Sequence, residues 1–159
     1  MNPLIDRHSQ KILQLAVVEA QRLNSEFIGT GQILLALLAD SKGPWDGVID
    51  FVGDLETVRC EVGKLVQPAP YSIIGKVPLN LRAKKAIEFA LVLRKNDEMV
   101  SPLHLLIGIL QDEDSVAVRV LNRVGLPVSD VLRDAHSACL LYTSPSPRDQ
   151  RGSRMPSSA

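Results

Sequence analysis

The side chains that most often carry chemistry, histidine and cysteine, are few and widely separated in this sequence. The three histidines are His8, His104 and His136, and each is predicted to lie on a different helix. They form no cluster with cysteines at the spacing of a complete metal-ligand set, so we expect no metal site. Cys60 has no partner histidine nearby in the sequence, which leaves nucleophilic catalysis unsupported. His104 opens a strongly apolar segment and is interpreted as a structural histidine with satisfied hydrogen bonds.

Three short charged or glycine-bearing segments resemble ligand-binding motifs only in part. Gly75-Lys76-Val77 lacks the earlier glycine and the Ser or Thr of a phosphate-binding loop, so no ATP binding is expected by that route. Asp112-Glu113-Asp114 lacks the central glycine and the distal glutamate of a calcium loop, and is interpreted as acids that stabilise a helix dipole. Arg82-Ala83-Lys84-Lys85 is interpreted as a solvated helix face, with a docking patch for an acidic partner as the alternative. We expect no cofactor.

Composition places the chain among small globular domains with an aliphatic core. It has 159 residues, of which 45% are hydrophobic, and its 18 basic and 18 acidic residues balance. The absence of a basic excess argues against nucleic-acid binding. The longest apolar run, Ile33–Ala39, is too short to span a membrane, and the N-terminal residues lack the apolar stretch of a signal peptide. We therefore expect a cytoplasmic location and no binding to membranes.

The composition changes abruptly near Tyr142. Residues 142–159 contain five serines, three prolines and three arginines with a single aspartate. Such a segment cannot bury enough apolar surface to offset the entropy of ordering, so we predict that it is disordered. A non-native extension is an open alternative, because the helical pattern stops abruptly at Leu141.

Between Asp6 and Leu141 the apolar residues recur at helical spacing and predict eight helices. Four helix starts carry residues able to accept hydrogen bonds from free backbone N–H groups, namely Asp6, Thr30, Asn80 and Ser101. The apolar faces of the eight helices are predicted at Ile12–Leu23, Ile33–Leu38, Trp45–Val52, Leu55–Val66, Ala83–Leu91, Leu105–Leu110, Val116–Val124 and Val131–Cys139. Pro68, Pro70, Gly75 and Pro78 interrupt the pattern and predict a linker.

The helical pattern occurs twice. Asp6 at the start of the first helix corresponds to Asn80 in the second copy, and, after a short deletion in that copy, Asp40 corresponds to Asp112. The fold class predicted from this internal repeat is all-α, with two tandem four-helix repeats related by approximate twofold symmetry. We predict one domain over residues 1–141, divided into repeat one (6–66), a linker (67–79) and repeat two (80–141).

The repeated segments carry a family resemblance. Gln10–Ala16, Ile28-Gly29-Thr30 with Ile33–Leu37, and Arg82–Glu88 resemble the N-terminal repeat domain of Clp unfoldases, and the linker phrase Gly75–Pro78 is similar to the ClpC type. The resemblance covers about Asn2 to Cys139. It implies a non-catalytic, monomeric docking domain that receives adaptor proteins and substrates above a hexameric AAA+ ATPase ring, acting in cis or in trans. It also implies a cytoplasmic location, or the plastid stroma in a photosynthetic eukaryote.

The resemblance also implies where partners bind. We expect two pseudo-equivalent regions, one near Asp6 and Thr30 and one near Asn80 and Ser101, where helix N–H groups and their caps cluster. In ClpC-type domains a glutamate in each region, with a cap threonine, binds phosphoarginine in some members. The glutamate positions are Gly31 and Leu103 here, and the threonine positions are Asp6 and Asn80. Because a guanidinium needs a facing carboxylate, we expect phosphoarginine binding to be weak or lost.

Several alternatives stay open at this point. The chain is either a part of a longer unfoldase that lacks the ATPase modules, which the character of its tail favours, or a stand-alone accessory protein of the Clp protease. A helical nucleic-acid-binding domain is the alternative from another class, since the short turns suit a helix-turn-helix arrangement, but the slightly acidic body argues against it. The only support for a catalytic function is the presence of histidine and cysteine.

Overall fold

The computed structural model describes residues 4–40, 55–94 and 98–142, with side chains as far as residue 138. These residues are helical or irregular, and their only β-type pairings are two isolated bridges. The all-α prediction is therefore confirmed. The helix predicted around Trp45 lies outside the described residues. Of the predicted disordered segment 142–159, only Tyr142 is described, and it is the last residue of a helix rather than disordered.

The described residues form seven helices, numbered in chain order. Their bounds are α1 Arg7–Arg22, α2 Thr30–Ala39, α3 Leu55–Leu65, α4 Leu81–Leu93, α5 Pro102–Ile109, α6 Val116–Arg123 and α7 Val128–Tyr142. Within the part of the chain described here, no helix has the length and apolar character needed to cross a membrane.

Two helices occupy the centre of the core. All of α5 and residues Thr30–Leu37 of α2 are buried, as expected for segments that are apolar on nearly every face. Helix α1 packs on α2 and α4 packs on α5, and α2 also contacts α5, so both halves share one core. The outer helices contribute a single buried stripe each, which consists of Ile12, Ala16 and Ala20 on α1 and of Ala83, Ala86, Ile87 and Ala90 on α4.

Two backbone bridges cross between the halves of the molecule. Ile5 pairs in parallel with Val100, and Ile28 pairs in parallel with Leu79. The sequence repeat relates Ile5 to Leu79 and Ile28 to Val100. The two bridges are therefore equivalent under the approximate twofold symmetry, and each joins the residue before the N-cap of an outer helix to the segment that leads into an inner helix. The exact repeat and linker boundaries stay a prediction.

The predicted caps of the outer helices are confirmed. Asp6 Oδ1 accepts a hydrogen bond from the Ser9 N–H at 2.7 Å, which caps α1. Asn80 Oδ1 accepts the equivalent bond from the Ala83 N–H at 2.8 Å, which caps α4. Each bond satisfies one of the N–H groups that the first turn of a helix leaves without a partner, and a cap of this kind typically contributes about 1 kcal/mol.

The inner helices begin differently. Ser101 caps α5 as predicted, with Pro102 at the first helical position. The prediction that Thr30 caps α2 is wrong by one residue, because Gly29 is the N-cap and Thr30 is already helical. The Gly29 N–H donates to Gln32 Oε1 at 2.9 Å, so the side chain that closes this helix start comes from within the helix. Thr30 Oγ1 instead accepts a bond from the Ala117 N–H of α6 at 3.2 Å.

Candidate partner-binding site

Each backbone bridge joins the start of an outer helix of one repeat to the start of an inner helix of the other repeat. We call residues Leu4–Asp6 together with Met99–His104 the first junction. We call residues Pro78–Asn80 together with Phe27–Gln32 the second junction. The predicted partner-binding residues are distributed over these two junctions.

Three hydrogen bonds hold the first junction together, and all of them involve Val100, the residue before the N-cap of α5. The Asp6 N–H donates to the Val100 carbonyl oxygen at 3.0 Å, and the Val100 N–H donates to the Leu4 carbonyl oxygen at 2.7 Å. The buried Ser9 Oγ also donates to the Val100 oxygen at 3.0 Å. The half-buried Asp6 is thereby fixed beside the start of α5.

The second junction has the matching backbone bonds. The Ile28 N–H donates to the Pro78 carbonyl oxygen at 2.7 Å, and the Asn80 N–H donates to the Ile28 carbonyl oxygen at 2.9 Å. A Cβ atom on Gly29 would lie 2.9 Å from Asn80 Nδ2, so the Asn80 amide lies directly against the start of α2. The N-termini of α2 and α4 therefore meet at this junction, and both bring positive partial charge to it.

The structure corrects the predicted pairing of the site residues. The predicted regions group Asp6 with Thr30 and Asn80 with Ser101, each pair within one repeat. The bridges instead place Asp6 beside the α5 start that carries Ser101, and Asn80 beside the α2 start that carries Thr30. The reason is that the segment before each outer helix pairs with the inner-helix start of the other repeat. Each outer-helix cap therefore lies beside an inner helix of the opposite repeat and not of its own.

Accessibility divides the six predicted residues into two groups. Asp6 and Asn80 are half-buried and present side chains at the surface. The other four are buried, namely Thr30, Gly31, Ser101 and Leu103. The Leu103 side chain is completely enclosed in the core, so the expectation that it contacts a partner is replaced by a packing role. The apolar character of α5 on every side explains this burial.

Gly31 also has a packing role, because neighbouring side chains occupy the space that a side chain at this position would need. A Cβ atom at this position would lie 2.7 Å from Val116 Cγ1 and 3.0 Å from Val62 Cγ1. A longer side chain at Gly31 would therefore require Val116 to turn away. At both of the positions where the family pattern has a glutamate, this protein holds a buried apolar residue or no side chain.

The two junctions differ in charge. Asp6 brings a carboxylate to the first junction, whereas the equivalent Asn80 brings a neutral amide to the second. At the first junction the Ser101 N–H donates to His104 Nδ1 at 2.9 Å, so this ring nitrogen carries no proton. Burial lowers the pKa of His104 below its usual value, and the negative charges of Glu98 and Asp6 oppose that shift only in part. His104 is therefore a neutral structural residue, as predicted.

A cavity of about 650 Å³ opens beside the second junction. Asn80, Phe27 and Gln32 are among the residues that line it, and Leu65, Val66, Pro68 and Val116 give it mostly apolar walls. Its volume lies in the range of cavities that hold ligands or peptide side chains. The amide nitrogen Nε2 of Gln32 is buried without a hydrogen-bond partner among the described residues. Such a group favours any rearrangement that supplies an acceptor.

Two exposed apolar side chains at the junctions were not among the predicted site residues. Phe27 is 48% exposed and Met99 is 44% exposed, and each directly precedes a bridge residue. They occupy equivalent positions in the two repeats. The repeat correspondence together with their unfavourable exposure could have identified them, because an apolar residue retained at the surface of both repeats suggests contact with other proteins.

The other chemistry-bearing residues form no catalytic arrangement in the described segments. No group of three or more His, Cys, Asp or Glu side chains there could hold a metal ion. Cys60 is exposed on α3. Asp112 pairs with Arg82 and accepts the Asp114 N–H at 3.0 Å, so it does not bond directly to the start of α6, which Ser115 caps.

Comparison with known proteins identifies the family of this architecture. The sequence model of the Clp repeat (R) N-terminal domain matches residues 4–124 and again 82–155. The chain is 33% identical over 124 residues to the chloroplastic chaperone protein ClpC1 of Arabidopsis thaliana, covering 76% of this chain and 13% of that protein. It is 36% identical over 135 residues to a probable ATP-dependent Clp protease ATP-binding subunit of Chlamydia pneumoniae, covering 79% of this chain and 15% of that protein.

Solved structures agree on the fold. The N-terminal domain of the chaperone ClpD from Arabidopsis thaliana superposes with a TM-score of 0.70 at 19% identity, covering 84% of this chain and 92% of that one. The Hsp104 N-terminal domain from Candida albicans gives a TM-score of 0.71 at 16% identity, covering 89% and 93%. The chain spans about one seventh of the length of the curated relatives it matches. Because the family's sequence model matches the chain twice and its members share this fold, the protein belongs to the Clp repeat N-terminal domain family.

Proposed function

We propose that this chain is a non-catalytic docking domain that receives protein substrates and adaptor proteins for a Clp AAA+ unfoldase. The observation that carries the proposal is the second junction, where a 650 Å³ cavity with largely apolar walls lies beside the exposed Phe27. A cavity of this kind suits an apolar side chain of an extended segment. The half-buried Asn80 and the N-termini of α2 and α4 add hydrogen-bond donors for its backbone.

The proposed partners follow from membership of the Clp family. An ATPase ring, in cis or in trans, would take over the substrates that this domain holds, and the domain itself would be monomeric. The proposal contains no catalytic step and no cofactor. The proposed location is the cytoplasm, or the plastid stroma in a photosynthetic eukaryote, as several relatives are named chloroplastic. A stand-alone accessory protein of the Clp protease is the alternative form of the same docking role.

Phosphoarginine is not proposed as the ligand of either junction. Gly31 has no side chain, and Leu103 is apolar and enclosed, so neither can place a carboxylate against a guanidinium. At the first junction the Asp6 carboxylate would also repel a phosphate group. The proposed ligand is therefore an unmodified, partly apolar polypeptide segment.

A binding experiment with an unfolded protein tests the docking role. Fluorescently labelled, reduced and carboxymethylated α-lactalbumin is titrated with the full chain, and anisotropy reports binding. Phe27→Ser should raise the dissociation constant by about fivefold or more, because it removes an aromatic contact of about 1 kcal/mol or more.

The matched control is Ile74→Ser. Ile74 is an apolar linker residue that is 84% exposed and does not line the cavity. This variant should bind like the unaltered protein, and thermal denaturation shows whether both variants keep the fold. Absence of binding by the unaltered protein, or equal losses in the two variants, would contradict the proposal.

A further inference from the structure

A second cavity of about 400 Å³ lies between α4 and the end of α5, and Thr30 of the second junction is among the residues that line it. We call it the α4–α5 groove, and the residues that matter to its chemistry are Arg82, Lys85, Phe89, Gly108 and Asp112. Arg82 and Lys85 belong to the basic run for which the sequence left a docking patch for an acidic partner as the alternative interpretation.

The floor of the groove is flat and apolar because the two helices touch there. A Cβ atom on Gly108 would lie 2.4 Å from the Ala86 carbonyl oxygen, so any side chain at this position would push α4 and α5 apart. Ile109 and Thr30 complete the floor, and both are buried. The glycine thus makes the close contact between α4 and α5 possible.

The rim of the groove combines an aromatic side chain with a lysine one helical turn away. Phe89 is 39% exposed, and Lys85 lies four residues earlier on α4, where the two side chains are neighbours. Arg82 is neutralised by its ion pair with Asp112. Lys85 forms no ion pair in the described segments, although its charge helps to lower the pKa of Asp112, and it is the cation that the groove offers to a ligand.

The charges around the groove favour a negatively charged ligand. Lys84 and the N-terminus of α4 add positive potential beside Lys85. The opposing acids are Glu88 on α4 and Asp112, whose charge is matched by Arg82. A basic segment would face Lys84 and Lys85 and be repelled. A nucleic acid would need many more cations than this groove supplies, since its affinity depends on the number of phosphates neutralised.

Repeat one differs at the equivalent positions. Lys11 corresponds to Lys85, but Leu15 corresponds to Phe89 and is half-buried, and Ala36 corresponds to Gly108. The combination of an exposed aromatic residue, a lysine and a glycine floor therefore belongs to repeat two.

We propose that the α4–α5 groove docks an acidic segment of a partner protein, with an apolar side chain as its anchor. The anchor packs against the Phe89 ring over the contact between α4 and α5, and an adjacent carboxylate pairs with the Lys85 ammonium group. The proposal rests on the docking role proposed above and assigns a second surface, with its own ligand chemistry, to the same domain.

The test uses a fluorescein-labelled peptide, Asp-Glu-Leu-Asp-Phe-Glu-Asp, titrated with the full chain at low ionic strength. Two further peptides replace either its acidic residues by lysine or its apolar residues by serine. The unaltered protein should bind the first peptide at least about tenfold more tightly than either of the others, as expected when charge and an apolar anchor both contribute.

Protein variants then locate the site. Lys85→Glu should weaken binding of the acidic peptide about tenfold, and the matched Lys11→Glu, at the equivalent exposed position of α1, should change it less than about twofold. Equal effects of these two variants, or equal binding of the acidic and lysine peptides, would overturn the proposal. Tighter binding of a single-stranded oligonucleotide than of the acidic peptide would overturn it in favour of nucleic acid.

The unfolded-protein assay separates the two proposals. If the acidic peptide fails to bind while labelled α-lactalbumin still binds in a Phe27-dependent manner, the groove proposal fails and the docking role stands. If neither ligand binds, both fail.

Discussion

His8 Nε2 lies 2.6 Å from Asp40 Oδ2, and this pair is the repeat-one counterpart of the ion pair between Arg82 and Asp112. The sequence repeat relates His8 to Arg82 and Asp40 to Asp112. Each pair connects the first turn of an outer helix to the residues just after an inner helix. The same connection is therefore made once with a histidine and once with an arginine.

The His8–Asp40 pair should contribute measurably to stability, because Asp40 is only 5% exposed while His8 is 32% exposed. His8→Ala leaves the buried carboxylate without this partner and should lower the free energy of unfolding by about 1 kcal/mol. His8→Arg copies the repeat-two pair and should restore most of that loss. Urea denaturation measures both, and equal stabilities of the two variants would show that the charge contact contributes nothing.

The Arg82–Asp112 pair should produce a small dependence of stability on pH. The hydrogen bond from Arg82 is the main cause that lowers the pKa of Asp112 below its usual value. A lowered pKa in the folded state means that the stabilisation is present above the usual carboxyl pKa and is lost as the pH falls through the lowered value.

Because both side chains are substantially exposed, the contribution at neutral pH should stay below about 1 kcal/mol. Asp112→Asn should be less stable than the unaltered protein at pH 7, and the difference should shrink at acid pH. Glu113→Gln, a neighbouring exposed position, is the control and should show no such trend. A difference between Asp112→Asn and the unaltered protein that is constant from pH 7 to acid pH would contradict the assignment.

The ion pair of Glu19 and Arg59 is the most buried of the charge contacts between different helices. Arg59 Nε lies 2.7 Å from Glu19 Oε1, and the two side chains are 11% and 6% exposed. Arg59→Ala should cost about 3 kcal/mol, because it leaves a carboxylate in the core without its partner.

Repeat two supplies the matched control for this pair. It carries Leu93 and Val131 at the positions equivalent to Glu19 and Arg59. The double variant Glu19→Leu with Arg59→Val should therefore be close to the unaltered protein in stability, and clearly above Arg59→Ala. A double variant as unstable as Arg59→Ala in urea denaturation would show that this site depends on the charges themselves.

Phosphoarginine should not bind at either junction. Isothermal titration of the full chain with free phosphoarginine up to about 1 mM should give no saturable signal. A Kd weaker than about 1 mM corresponds to a binding free energy of about 4 kcal/mol or less. Saturable binding in the micromolar range, lost in Asp6→Ala or Asn80→Ala, would contradict the argument from Gly31 and Leu103.

Local sequence patterns were sufficient to predict the helices and three of their four caps. The capping bonds of Asp6 and Asn80 connect residues three positions apart, so the sequence contains both partners side by side. The predicted N-cap of α2 is one residue too late. Gly29 is the N-cap, and its N–H donates to the Gln32 side chain from within the helix. The internal repeat was readable because both copies keep their apolar spacing.

The site was predicted less well, because its geometry depends on contacts between distant segments. The pairing of Ile5 with Val100 exchanges the partners of the caps, and no local pattern encodes it. The burial of Leu103 depends on the helices that surround α5 on every side. The contact of Arg59 with Glu19 likewise joins α3 to α1 between segments far apart in the chain.

The most direct test of the docking role is an NMR titration of the ¹⁵N-labelled full chain with unlabelled carboxymethylated α-lactalbumin. The account predicts saturable amide shifts that cluster at the second junction, around Phe27, Gly29 and Asn80, and that disappear in Phe27→Ser but persist in Ile74→Ser. Spectra that remain unchanged at excess unfolded protein, or shifts spread evenly over the surface, would contradict the claim that this domain receives unfolded polypeptides.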